Sequence, residues 1–120
     1  MRRLLSVLIL TAAVSCGKSL PELSDLDLST WKEDKHACGS YRSSHMEEIK
    51  AQKEKLLALK ESQIIELLGR PDRNELYKRN QKFFHYSLES DSTCSTPKEG
   101  ALRLVVRFNA MGLAKEVAIE

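Results

Sequence analysis

The spacing of apolar residues changes at Gly69 and Pro71, and this change is the strongest constraint on the fold. Before it, Ile64, Leu67 and Leu68 fall at i, i+3 and i+4 and form one face of a predicted helix. Gly69 suits the cap position after a helix, and Pro71 prevents the helix from continuing. After Pro71, apolar and polar residues alternate, which is typical of strands with one buried face.

Two helices are predicted before this boundary. The first begins at Ser43 or Ser44, with an acidic side chain one turn later as in a capping box, and ends near Leu59. The second is shorter and covers 61–68. Its apolar face and that of the first helix can cover one side of a sheet.

Four strands are predicted after the boundary, at 75–78, 82–88, 102–108 and 113–119. A loop over 89–100, rich in Ser, Thr and Asp, separates the second strand from the third. The short connections favour an antiparallel meander. We therefore predict an α+β fold in which two N-terminal helices pack on a three- to four-stranded antiparallel meander.

The beginning of the chain carries a targeting signal. Arg2 and Arg3 precede an apolar stretch over 4–14, the pattern of a secretory signal peptide. A membrane-spanning helix would need roughly 20 apolar residues. The small residues that end on Cys16 resemble the lipobox of bacterial lipoproteins, although Ala13 stands where Leu is usual. In that family the peptide is cut before the cysteine, whose sulfur is lipidated. The alternative is a secreted protein that has a cysteine near its cleavage site.

These features divide the chain into a signal peptide at 1–15, a lipidated tether at 16–30 and a single α+β domain at 31–120. The tether is rich in Ser, Asp and Pro, and is expected to be a flexible coil. The whole chain has 19 basic and 17 acidic residues. Loss of Arg2 and Arg3 would leave 17 of each, so the mature charge is zero. The sequence contains no block of basic residues that would indicate a nucleic-acid partner.

Two cysteines remain beside Cys16, namely Cys38 and Cys94. Outside the cytoplasm two such thiols usually pair, so a disulfide is predicted. The alternatives are free thiols or a metal site with His36 and His45. Because zinc usually takes four ligands at recognisable spacing, no metal or other cofactor is predicted. No nucleophile-elbow motif is present, so no catalytic residue is predicted either.

The residues from Leu59 to Asp72, LKESQIIELLGRPD, resemble the short helix and Gly-x-Pro-Asp turn of the SmpA/OmlA family, which includes BamE. The Phe84-x-Tyr86 strand and the later Val106-x-Phe108 strand with its Gly112 turn are similar to that family's sheet. The resemblance covers about residues 45–120.

The resemblance implies a fold shared with the β-lactamase inhibitory proteins, and the role of an accessory lipoprotein in outer-membrane β-barrel assembly. Two features depart from the family pattern. Its usual Gly-Met-Thr entry to the short helix is Ala-Leu-Lys at 58–60 in this chain. The segment 31–38 and the loop that carries Cys94 are not part of the family core.

Together these observations predict a non-enzymatic lipoprotein of the bacterial envelope that binds an envelope protein. The resemblance names the barrel-assembly machinery as that partner. Position 17 is Gly and not the Asp that retains some lipoproteins at the inner membrane. This favours the outer membrane, with the domain facing the periplasm. Phe83 and His85 are the candidate partner-binding residues, because they fall on the face opposite the predicted core. The alternatives are an inhibitor-like module that binds a secreted enzyme, and a small-ligand or metal binder.

Replacement of Cys16 tests the anchor. Cys16→Ser should release the domain from the membrane fraction while the thermal unfolding of the domain stays unchanged, because only the site of lipidation is lost. Fractionation followed by a high-salt wash measures this. A variant that stays with the membrane after the wash would contradict the lipid anchor.

Overall fold

A computed structural model describes residues 17–120, so Cys16 and the predicted signal peptide lie outside the described residues. In this range the helices are α1 (Leu28–Glu33), α2 (Tyr41–Ser44), α3 (Met46–Gln52) and α4 (Glu61–Leu68). The strands are β1 (Arg73–Tyr77), β2 (Gln81–Ser87), β3 (Arg103–Phe108) and β4 (Ala114–Ile119). They form one antiparallel sheet in the order β1-β2-β3-β4, which confirms the predicted α+β meander. Within 17–120, no helix has the length and hydropathy that crossing a bilayer requires.

The core lies between the helices and one face of the sheet, which we call the inner face. Side chains at alternate positions of β2 and β3 pair across it, as in Phe84 with Val106 and Tyr86 with Leu104. All four are buried, as the alternation predicted. The helices and the segments between them complete the core with Trp31, Ile49, Leu56, Leu59, Ile64 and Leu68.

Helix α4 has the predicted bounds, and its ends show why. Before the first turn, the Lys60 amide donates to the side chain of Gln63 at 2.9 Å. After the last turn, Gly69 adopts a φ of 81°, a conformation that other residues rarely take. The Tyr86 hydroxyl donates to the Gly69 carbonyl at 2.8 Å, so the helix end is tied to the sheet.

The predicted first helix is wrong in its length and its cap. The segment is broken into α2, α3 and a 3₁₀ turn over Lys53–Leu56. His45 has a φ of −113° and a ψ of 21°, which interrupts the helix. The hydroxyls of Ser43 and Ser44 donate back to the Ser40 carbonyl and form no capping box. The break lets this region curve over the sheet, which one straight helix could not do.

The prediction of a flexible tether is also wrong for the described part of 16–30. Leu23 is buried in the core, and α1 begins at Leu28, capped by the carboxylate of Asp27. Ser24 exchanges two hydrogen bonds with the side chain of Gln52. Packing of the scattered leucines offsets the entropy lost on ordering this segment. The folded unit therefore begins before Trp31.

The segment around Trp31 packs on the domain as expected. The Trp31 ring is fully buried, and its indole N–H donates to the Leu68 carbonyl at 3.2 Å. Cys38 and Cys94 form the predicted disulfide, with a Cα–Cα distance of 5.3 Å and a sequence separation of 56. The bridge ties the segment after α1 to the loop between β2 and β3.

Loss of either bridged cysteine should destabilise the domain. Closure of a loop of this length contributes at most about 4 kcal/mol on chain-entropy grounds. We expect Cys38→Ser and Cys94→Ser to lower the free energy of unfolding by similar amounts, measured by urea denaturation. The double variant should cost little more, because both single changes remove the same cross-link. Additive effects would contradict this account.

Candidate functional site

The outer face of the sheet is covered at one end and open at the other. His85, a candidate partner-binding residue on this face, is buried, and so is Ser87 two residues further along β2. The residues over 35–37 contact the end of β2, and the loop of Cys94 closes over Ser87. Little of the His85 side chain is therefore accessible to a partner, and its role in partner binding stays a prediction.

A buried ion pair supports the covered end. Arg42 is 1% exposed and donates through Nη1 to the Asp72 carboxylate at 2.7 Å. The same nitrogen donates to the Ser87 carbonyl, and Nε donates to the Trp31 carbonyl. The guanidinium also lies over the Trp31 ring, 4.7 Å from its centroid. Asp72 in turn accepts from the backbone amides of His36 and Ser87.

The segment that forms one wall has an unusual backbone. His36 and Ala37 have φ values of 59° and 55°, which side-chain-bearing residues rarely adopt. Such residues persist only where the surroundings hold them in place. The Asp72 carboxylate holds the His36 amide, the Ser90 hydroxyl donates to the Ala37 carbonyl, and the disulfide follows at Cys38.

Between these parts lies a polar cavity of ≈ 270 Å³. Asp91 stands on its wall and accepts from the Ser87 hydroxyl at 2.6 Å and from Nδ1 of His36 at 2.8 Å. Burial alone would raise the pKa of Asp91. The hydrogen bonds from Ser87, the Thr93 amide and His36 outweigh burial and lower that pKa. Asp91 therefore stays ionised and fixes the imidazole of His36.

His85 lines the same cavity in its neutral form. Burial lowers its pKa, and the nearby positive charge of Arg103 lowers it further, against a hydrogen bond to Glu75. Nε2 of His85 lies 3.2 Å from the Glu75 carboxylate, while Nδ1 is buried without a partner among the described residues. Arg103 also lines the cavity and forms no ion pair within residues 17–120.

Ser87, Asp91 and His36 are not arranged as an acyl-transfer triad. The Ser87 hydroxyl donates to the Asp91 carboxylate, which also holds Nδ1 of His36, so the carboxylate and not the imidazole receives the serine hydrogen bond. Within the described range, no three His, Cys, Asp or Glu residues are grouped to hold a metal ion. Cys38 is in the disulfide and His45 stacks on Tyr41, which removes the metal alternative built on them.

The open end of the outer face carries an aromatic pair. Phe83 is half-buried and packs edge-to-face on Tyr77, with ring centroids 5.9 Å apart. Tyr77 is 57% exposed. The Phe83 ring also lies 6.4 Å from the ring of His85, so the covered and open ends adjoin. Of the two predicted contact residues, Phe83 is therefore the more accessible, and His85 lies next to it on the same face of β2.

Sequence reasoning missed the residues that build the cavity. Arg42, Asp91 and Arg103 carried no motif, and Arg103 was interpreted only as part of a solvated strand face. Asp72 did carry a signal, because it ends the Gly-x-Pro-Asp turn. The structure gives that motif a physical role, since its aspartate forms the buried ion pair with Arg42.

Comparison of the chain with protein-family models, curated proteins and solved structures gave no match. The resemblance to the SmpA/OmlA family therefore stays a prediction.

Replacement of Asp72 tests the buried ion pair. Asp72→Asn leaves the Arg42 charge buried without a counter-ion, which should lower the free energy of unfolding by about 3–5 kcal/mol. Asp91→Asn is the matched control, because Asp91 is partly exposed and its loss should cost about 1 kcal/mol or less. Urea denaturation of both variants measures the difference. Equal losses would contradict the central role of the Arg42–Asp72 pair.

Proposed function

We propose that this chain is a non-enzymatic, lipid-anchored protein of the bacterial envelope that binds an envelope protein partner. The observation that carries the proposal is the aromatic pair formed by the exposed Tyr77 and the half-buried Phe83 on a sheet face. Aromatic side chains on a rigid surface are frequent anchors of protein interfaces. The covered end of the same face holds the β2 backbone in place beneath Phe83.

The disulfide supports the location outside the cytoplasm. Disulfides persist in oxidising compartments such as the periplasm, and are rare where thiols are kept reduced. Cys38 itself is exposed, so a reducing environment would have access to the bridge. The signal pattern before Cys16 supports the anchor, and the absence of Asp at position 17 favours the outer membrane.

The barrel-assembly machinery is the specific partner that we propose on the strength of the SmpA/OmlA resemblance. The α+β meander is compatible with that resemblance and equally with an inhibitor-like module, because a fold shared by both does not determine function. The two differ in partner: a membrane-embedded assembly complex in one case and a single soluble enzyme in the other.

The polar cavity favours a second candidate, the binding of a small anion. Arg103 has no ion-pair partner within 17–120, and Ser92 and Thr93 line the same cavity. A carboxylate or phosphate group suits such a lining. Titration of the purified domain with inorganic phosphate and acetate, followed by calorimetry, tests this candidate. An Arg103→Gln variant should abolish any heat that reflects the site.

Affinity purification from cross-linked native membranes tests the main proposal. A C-terminally tagged chain should recover an envelope protein, and Phe83→Ala should lower that recovery about tenfold, the loss expected for an interface anchor. Ile65→Ala is the matched control, because Ile65 is a part-exposed apolar residue of α4, away from the outer face.

The identity of the captured protein separates the alternatives. Recovery of barrel-assembly proteins supports the specific proposal, whereas recovery of one soluble hydrolase favours the inhibitor-like module. Equal recovery by the Phe83→Ala and Ile65→Ala variants would show that the outer face is not the binding surface.

A further inference from the structure

The β1–β2 connection and the β3–β4 connection lie at the same end of the sheet. The pairing of Lys82 with Phe108 places the turn before β2 and the turn after β3 side by side. The three most exposed large apolar side chains within residues 17–120 lie here: Leu76 at 77%, Tyr77 at 57% and Met111 at 81%. Exposure of several large apolar groups at one place indicates a contact surface.

The start of the described chain lies at the same end. Lys18 donates through Nζ to the Leu57 carbonyl at 2.9 Å, and its own carbonyl accepts from the Gln63 side chain at 2.6 Å. The neighbouring Lys60 pairs with Leu113, directly after the turn that carries Met111. Lys18 is two residues from Cys16, which can therefore lie no more than roughly 7 Å of extended chain away.

This end carries an excess of positive charge. Lys78 and Arg79 form the tip of the β1–β2 connection, and with Lys60 they are exposed and form no ion pair within the described range. The acidic residue beside them, Glu61, is paired with Lys82 at 2.8 Å. Basic and apolar side chains together are typical of surfaces that lie on anionic lipid headgroups.

We propose that this end rests on the anionic headgroups of the membrane that holds the lipid anchor. We call it the anchor-end surface, formed by Leu76, Lys78, Arg79 and Met111. The inference rests on the proposed anchor at Cys16, and it adds a second contact that fixes the orientation of the domain. The strands then run away from the membrane, so the outer face with Phe83 is turned sideways towards a partner in the periplasm.

Vesicle co-sedimentation tests the surface without the anchor. The probe is unlipidated protein of residues 17–120, which contains every core residue named above, mixed with phosphatidylglycerol–phosphatidylethanolamine vesicles or with phosphatidylcholine vesicles. We expect binding to the anionic vesicles that weakens as salt is raised. Lys78→Glu should weaken it at least about fivefold, from the loss of one basic contact. The double variant Leu76→Ser, Met111→Ser should also weaken vesicle binding, because it removes two exposed apolar side chains from this surface.

Lys35→Glu is the matched control, because Lys35 is an exposed lysine at the opposite end of the sheet, beside the covered segment. It should leave binding within about twofold of the parent protein. No binding to anionic vesicles at low salt, or equal effects of Lys78→Glu and Lys35→Glu, would overturn the proposal. Failure of the lipid anchor would appear separately, as a Cys16→Ser variant that stays in the membrane fraction after the high-salt wash, which removes contacts that depend on charge.

Discussion

The buried ion pair of Arg42 and Asp72 is the interaction on which the rest of the structure depends. Burial of two charges costs several kcal/mol for each ion, so such a pair persists only where its other donors and acceptors are satisfied. Arg42 also donates to the carbonyls of Trp31 and Ser87, and Asp72 accepts the amide of His36. One pair therefore joins α1, the segment after it, α2, the turn after α4 and the end of β2.

This network makes the two ends of the sheet different. At one end the ion pair and the disulfide hold the segment of His36 and the loop of Asp91 over the outer face, and enclose a polar cavity. At the other end the hairpin tips stay uncovered, with Tyr77 and Met111 in solvent. A rigid closed end and an apolar, basic open end suit a domain that keeps its shape while its open end and the adjoining face make contacts.

The predictions that held were those that depend on local pattern. Alternation along β2 and β3 follows from the period of a strand, so Phe84 and Val106 could be assigned to the core before any contact was known. The end of α4 at Gly69 was equally local. The break at His45 could not be predicted from local pattern, because the apolar spacing of this segment is equally typical of an unbroken helix. The leucine at position 23 was too isolated to reveal a periodic face, and only the core that receives it shows its role.

By itself, the sequence determined the α+β class, the order of the strands and the pairing of Cys38 with Cys94, and its targeting pattern before Cys16 stays a prediction. Each of these follows from spacing along the chain or from a count of residues. The tertiary structure alone decided that Arg42 pairs with Asp72, that His85 is covered and that the region before Trp31 is folded. The physical reason is that burial and ion pairing depend on which residues meet in space, and nothing in the spacing of Arg42 and Asp72, 30 positions apart, marks them as partners.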